Sequence, residues 1–181
     1  MDMLSALDQT FAHAGGVIAG VRQEQLDDPT PCEKWTVRDL LEHMIGVVDG
    51  MGASVSGAAP SRPFELGPDP AAQFRQASAA TMAAWQTPGK LDEVINGGAG
   101  PMPGQVLAGI NLLDTATHTW DLATATGQPT ALPEGVATAA LEASHQIVNP
   151  EIRAGRFGPE VAADEGAGST ERLVAFLGRQ P

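Results

Sequence analysis

Residues 112–127 read LLDTATHTWDLATATG. Leucine, alanine and threonine fill most of the stretch, and Gly127 with Pro129 just behind it supplies a helix stop. Asp114 and His118 stand four residues apart, and Asp121 follows three residues later. At 3.6 residues per turn these three side chains fall on one stripe, which Asn111 extends by a turn. A carboxylate, an imidazole and a second carboxylate in one row of an otherwise apolar helix need a reason.

The neighbouring segments predict more helices. Leu4, Leu7, Phe11, Ala14, Ile18 and Val21 mark a helical stripe over 3–22. The stretch DDPTPCEKWT, 27–36, reads as a loop, and a second helix opens directly after it. Its start is well marked: Thr36 is the N-cap, Asp39 stands three residues on, and Trp35 and Leu40 occupy the positions of a hydrophobic staple. Leu40, Leu41, Met44, Val47 and Val48 form its apolar face.

Residues 52–69, rich in Gly, Ser, Ala and Pro, are expected to be a long surface connection. A third helix is expected over 70–86 and a glycine- and proline-rich loop over 97–104. The helix with the polar stripe follows from Gln105 to Thr126, and a fifth runs over 133–148. Beyond an irregular tail, STERLVAFL at 169–177 reads as a short capped helix. The fold class is therefore all-α: a helical bundle with short pieces appended, in a single domain over 1–181.

Composition agrees and excludes several functions. Aromatic residues make up 4% of the chain, with no tyrosine, so the core is built from small and aliphatic side chains. The formal net charge is −12, from 22 acidic and 10 basic residues, and no basic cluster offers a footprint for nucleic acid. No apolar run approaches the roughly 18 residues that span a membrane. A single cysteine, Cys32, cannot form an internal disulfide. A soluble, cytoplasmic protein is expected, without nucleic-acid or membrane partners. Its oligomeric state does not follow from these residues, and a homodimer is kept as one arrangement it could adopt.

Two side chains at i, i+4 on a helix can hold one metal ion, with a third ligand from another element. Of the four histidines, His43 on the second helix is the best third donor, because its neighbours 40, 44 and 47 are apolar and turn that face inward. His43, Asp114 and His118 would make a three-ligand site with an open position. The alternative is equally plain: a DxxxH spacing also marks a surface hydrogen bond, and Asp39 could serve His43 as a simple acceptor. His13 and His145 are expected to be structural or exposed. Cys32 has no partner histidine at a recognisable spacing and is read as a small hydrophobe, and the three tryptophans as core or staple residues.

The motifs TPCEKWTVRDLLEHMIG, GPMPG and DTATHTWDLATATG, with GRFGPEV and ERLVAFLGRQP near the end, carry a resemblance over nearly the whole chain. The chain resembles the actinobacterial group related to the amino-terminal domain of mycothiol-dependent maleylpyruvate isomerase, within the DinB-like (YfiT-like) superfamily of metal-binding bundles. The resemblance implies a DinB-like four-helix bundle and a divalent metal, zinc or nickel, on His43, Asp114 and His118. It also implies mycothiol as co-substrate and a small electrophile as substrate, in a transferase or isomerase-like reaction. Asp121 and Asn111 would orient the cofactor or support the ligands.

Two departures stand out. The isomerase has Glu at the position of Asp114, and it carries a separate carboxy-terminal domain where only about thirty residues follow the fifth helix here. Maleylpyruvate itself is therefore not the expected substrate. A non-catalytic metal- or ligand-binding bundle, or a metal-dependent hydrolase using Asp121 or Glu42 as base, are the other readings.

Overall fold

The structure is a computed structural model that describes residues 1–58, 64–98 and 100–181. Helices α1 (Met3–Ala19), α2 (Val37–Ser56), α3 (Pro70–Trp85) and α4 (Gly104–Thr126) form the bundle. Helix α1 packs on α3 and α4, and α2 packs on the same two, so the ring order is α1, α3, α2, α4. Helix α5 (Glu134–Ile147) lies outside the ring against α4 and α1, the short α6 (Pro150–Arg153) follows it, and α7 (Ser169–Phe176) packs on α5. The all-α expectation holds, and so does the four-helix bundle with a short C-terminal helix.

Local chemistry sets the helix starts. The Thr36 hydroxyl accepts from the Asp39 amide at 3.3 Å, while the Asp39 carboxylate accepts from the Thr36 amide at 2.9 Å, a reciprocal cap. Asp69 caps α3 ahead of Pro70, and Gly127 ends α4 with a left-handed φ of 67°. Buried Leu7, Leu40, Leu41, Met44, Phe74, Trp85, Leu107 and Leu112 fill the centre, with alanines letting the helices approach.

Two expectations need correction. Helix α2 runs one turn beyond 52, to Ser56, because Gly52 and Val55 are buried and helical packing outweighs the weak propensity of its glycines. Of the connection expected over 52–69, residues 59–63 lie outside the described residues. The loop expected at 97–104 is partly a strand: β2 (Pro101–Pro103) pairs antiparallel with β1 (Val94–Asn96), Ile95 opposite Met102. Prolines at 101 and 103 concealed that hairpin, since they are tolerated only on edge strands such as this one. The hairpin meets the start of α4, where the Gly104 and Gln105 amides donate to the carbonyls of Glu93 and Leu91 at 2.7 and 2.9 Å.

Candidate metal centre and its cavity

The sequence between α1 and α2 folds into a tight turn that fixes two side chains. Pro29 and Thr36 bridge its ends, and the Thr30 hydroxyl accepts from the Cys32 amide at 3.1 Å and donates to the Trp35 carbonyl at 2.9 Å. The Trp35 ring then lies over two histidines, its centroid 4.7 Å from His43 and 5.7 Å from His118. His43 stands two turns into α2, and its Nε2 lies 3.3 Å from Asp114 Oδ1. On α4, His118 Nε2 lies 3.7 Å from the same oxygen, and the two imidazoles meet edge to face at 4.7 Å.

The structure therefore brings His43, Asp114 and His118 together, with their donor atoms within 4.8 Å of one another. The other oxygen of Asp114, Oδ2, is buried and has no hydrogen-bond partner among the described residues. A buried carboxylate oxygen without a donor is costly, and a cation beside it removes that cost. Two imidazoles and one carboxylate form a donor set suited to zinc, nickel and similar divalent ions. The residues present fit such an ion.

His118 is held from both sides. Its Nδ1 lies 2.9 Å from Asp121 Oδ2, which orients the ring so that Nε2 faces Asp114. Asp121 is fully buried, and Arg179 from the C-terminal tail donates to it twice, Nε to Oδ1 at 3.1 Å and Nη2 to Oδ2 at 2.8 Å. Burial pushes the Asp121 carboxyl up, but the hydrogen bonds from His118 and Arg179 outweigh it and bring the pKa down to about 2. Burial likewise works against protonated His118, yet Asp114 and Asp121 raise it to about 10. For Asp114, burial is outweighed by the field of His118 and the His43 hydrogen bond, and the carboxyl sits below its ordinary range.

Sequence reasoning missed Cys32 and Arg179. The Cys32 thiol lies 3.3 Å from Asp121 Oδ2 and 3.9 Å from His118 Nδ1, so the cysteine does have a partner histidine, 86 residues away in the chain. No spacing rule links positions so distant; only the loop turn and the packing of α2 on α4 bring them together. Arg179 arrives because Gly178, with φ of 82°, turns the chain out of α7, and the Arg179 amide donates back to the Val174 carbonyl at 2.9 Å.

Cys32, His118 and Asp121 form a second set of donors within the same 4.8 Å limit. The Arg179 guanidinium already neutralises Asp121 there and lies 3.9 Å from the sulfur, so a second cation would meet like charge. In the first set no guanidinium hydrogen-bonds Asp114 among the described residues, and the Arg179 charge acts on it only as a lesser influence behind His118 and His43. Asn111 is fully buried, with neither side-chain atom partnered among the described residues, and neither it nor Asp121 lines the adjoining cavity. His13 is half-buried and its pKa is lowered by that burial; His145 is exposed and stacks edge-on against Phe176 at 4.5 Å.

The triad opens onto a cavity of about 990 Å³, walled by α4 on one side and on the other by residues from 147–158 and 177–180. Trp35, His43, Asp114 and His118 all reach its surface, and so do Cys32 and Arg179. Among the described residues, no helix is long and apolar enough to cross a membrane.

Comparison with known proteins agrees with this architecture. Residues 7–123, which contain the bundle and the triad, match the family model of the mycothiol maleylpyruvate isomerase N-terminal domain. Two uncharacterized proteins of Mycobacterium tuberculosis, from strains CDC 1551 / Oshkosh and ATCC 25618 / H37Rv, are each 36% identical over 183 residues, covering 99% of this chain and 98% of theirs. Among solved structures, the crystal structure of the mycothiol-dependent maleylpyruvate isomerase shares the fold, with a TM-score of 0.52 at 13% identity. That match covers 76% of this chain and 65% of the other. The chain belongs to the mycothiol maleylpyruvate isomerase N-terminal domain family.

Proposed function

We propose that the protein binds a divalent metal, zinc or nickel, through His43, Asp114 and His118, and uses it to activate a small thiol, mycothiol, toward a small electrophile in a transferase or isomerase-like reaction. The observation that carries the reading is the convergence of both imidazoles on Asp114 Oδ1, with the carboxylate's other oxygen, Oδ2, buried and unpartnered among the described residues, beside a cavity large enough for a ligand. A bound divalent ion would supply Lewis acidity, keeping a thiol with an ordinary pKa of about 8.5 as thiolate at neutral pH.

The chain's own residues do the rest. His43 and His118 present nitrogen donors from two helices, and three protein ligands leave a position facing the cavity. Asp121 holds the His118 ring through Nδ1, and Trp35 covers both imidazoles, limiting solvent at the site. Mycothiol enters through the family and its structural relative. Hydrolysis is less well supported, because it needs a base at the cavity. Asp121 is fully buried and paired with Arg179, and Glu42 does not line the cavity.

Elemental analysis of protein purified without chelators tests the metal, and a thiol titration of the cobalt-substituted protein tests the open position. One equivalent of metal, lost in both His43→Ala and His118→Ala, is expected, together with a thiol-induced change in the cobalt spectrum. Full metal occupancy in both variants would overturn the ligand assignment. Metal and thiol binding without consumption of any electrophile would leave a non-catalytic binding bundle.

A further inference from the structure

We infer that the cavity is divided by polarity along α4. Its end beyond Asp114 takes the hydrocarbon body of a neutral, apolar electrophile, and its end toward Thr124 takes the hydrophilic thiol. The use of the two ends rests on the metal-and-thiol reading above; the division itself rests on the lining residues.

Helix α4 contributes to the cavity from Ile110 to Thr124, a span of about 21 Å at 1.5 Å per residue. Asp114 and His118 stand near the middle of that span. Ile110 is one turn before Asp114 on the same face, and Leu113 is its immediate neighbour. The facing wall at this end is supplied by Ile147 and Val148. Ile147 sits so close to α4 that a Cβ added at Gly109 would fall 2.9 Å from its Cδ1. Four aliphatic side chains therefore line this end. Ile110, Ile147 and Val148 are only half-buried, leaving methyl groups for a ligand to cover.

The other end differs in kind. Thr124 is exposed there, one turn beyond Trp120, the one large apolar side chain that α4 adds to the lining at this end. Arg179 is anchored on Asp121, and the neighbouring Gln180 and the loop residue Lys34 also reach the cavity. A ligand rich in hydroxyl and amide groups finds donors and acceptors at this end and none on the aliphatic side chains of the first. A compact dicarboxylate would be drawn to the cationic lining side chains Lys34, Arg156 and Arg179, and its carboxylates gain nothing from the aliphatic end. An electrophile with an alkyl or aryl body gains by covering it, since apolar burial favours binding in proportion to the area removed from water.

The test uses the full-length protein and a neutral, environment-sensitive naphthalene dye, titrated by fluorescence in metal-free and metal-loaded samples whose metal content is measured in parallel. The dye is expected to bind in both samples and to be displaced by n-alkanols about fourfold more tightly per added methylene until the aliphatic end is full. Ile110→Asn and Ile147→Asn should each weaken the dye at least tenfold, and Thr124→Val and Gln180→Ala should leave it unchanged. Ile110→Val, which keeps the core apolar, should give an intermediate loss if the asparagine variants fail to fold. In the metal-loaded sample, cysteine amide as a hydrophilic thiol should bind without displacing the dye.

No dye binding, no gain with alkanol length, an equal loss in the Thr124 and Gln180 variants, or competition between thiol and dye would each overturn the division. Failure of metal uptake with normal dye binding would instead overturn the ligand assignment and leave the apolar end standing.

Discussion

Arg179 grips Asp121 at two points, with Nε and Nη2 on separate carboxylate oxygens at 3.1 and 2.8 Å, so the C-terminal tail is tied directly to the helix that carries the triad. Asp121 is fully buried and the Arg179 side chain is 12% exposed, so little water competes for either group. Arg179→Ala would leave a buried carboxylate with His118 and Cys32 as its remaining partners. Breaking such a pair on one side costs on the order of 3 kcal/mol. Urea unfolding should show that loss. Arg179→Lys should recover part of it, since an ammonium keeps the charge but not the two-point geometry.

The two perturbed groups give the metal-free protein opposite pH limits. Asp121 titrates at about 2 in the fold, below its ordinary value of 3.8. Its contribution is complete above pH 3.8 and disappears as pH falls to about 2; the shift corresponds to ~2 kcal/mol. His118 is raised from 6.5 to about 10. Its contribution is complete below pH 6.5 and is lost as pH rises through about 10. Melting curves of chelator-treated protein should show stability declining across both windows, and His118→Gln should remove most of the alkaline decline.

The Thr36 cap can be tested separately from the site. Thr36→Ala removes the hydroxyl that accepts from Asp39 and frees the Asp39 carboxylate from its hydroxyl partner. A loss of about 1 kcal/mol is expected in chemical denaturation. His43 lies two turns further along α2, within a buried stretch that includes Leu40, Leu41 and Met44, so metal stoichiometry should be unchanged.

Much of this architecture was legible in the sequence because it is governed by local rules. The Thr36–Asp39 cap, the stop at Gly127 and the i, i+4 stripe of α4 are each decided within a few residues. His43 was also legible, since one inward-facing histidine on a marked helix is a short inference. Cys32 and Arg179 were not, because their neighbours in space are 89 and 58 residues away in sequence, at Asp121. Trp35 was legible only by half: the staple position explained why it follows the loop, but not that its ring would cover two histidines from different helices. The β1–β2 hairpin was hidden because its prolines read as loop.

If His118 is a ligand, as proposed, proton and metal compete for the same ring, and metal uptake should depend on pH. In the metal-free protein His118 carries a proton at pH 7, held there chiefly by Asp114 against the cost of burial. A metal held at Nε2 would have to displace that proton, because a ligand nitrogen has to be neutral, while Nδ1 would keep its hydrogen toward Asp121. Apparent affinity should therefore rise about tenfold per pH unit through the neutral range, levelling off as pH approaches about 10. Calorimetry in buffers of different ionisation enthalpy should count about one proton released per metal at pH 7. Asp114→Asn removes the charge that holds the proton but keeps the side-chain shape. It should lower the number of protons released and weaken metal binding at least tenfold. An unchanged proton count in that variant would show that the proton leaves from a group other than His118.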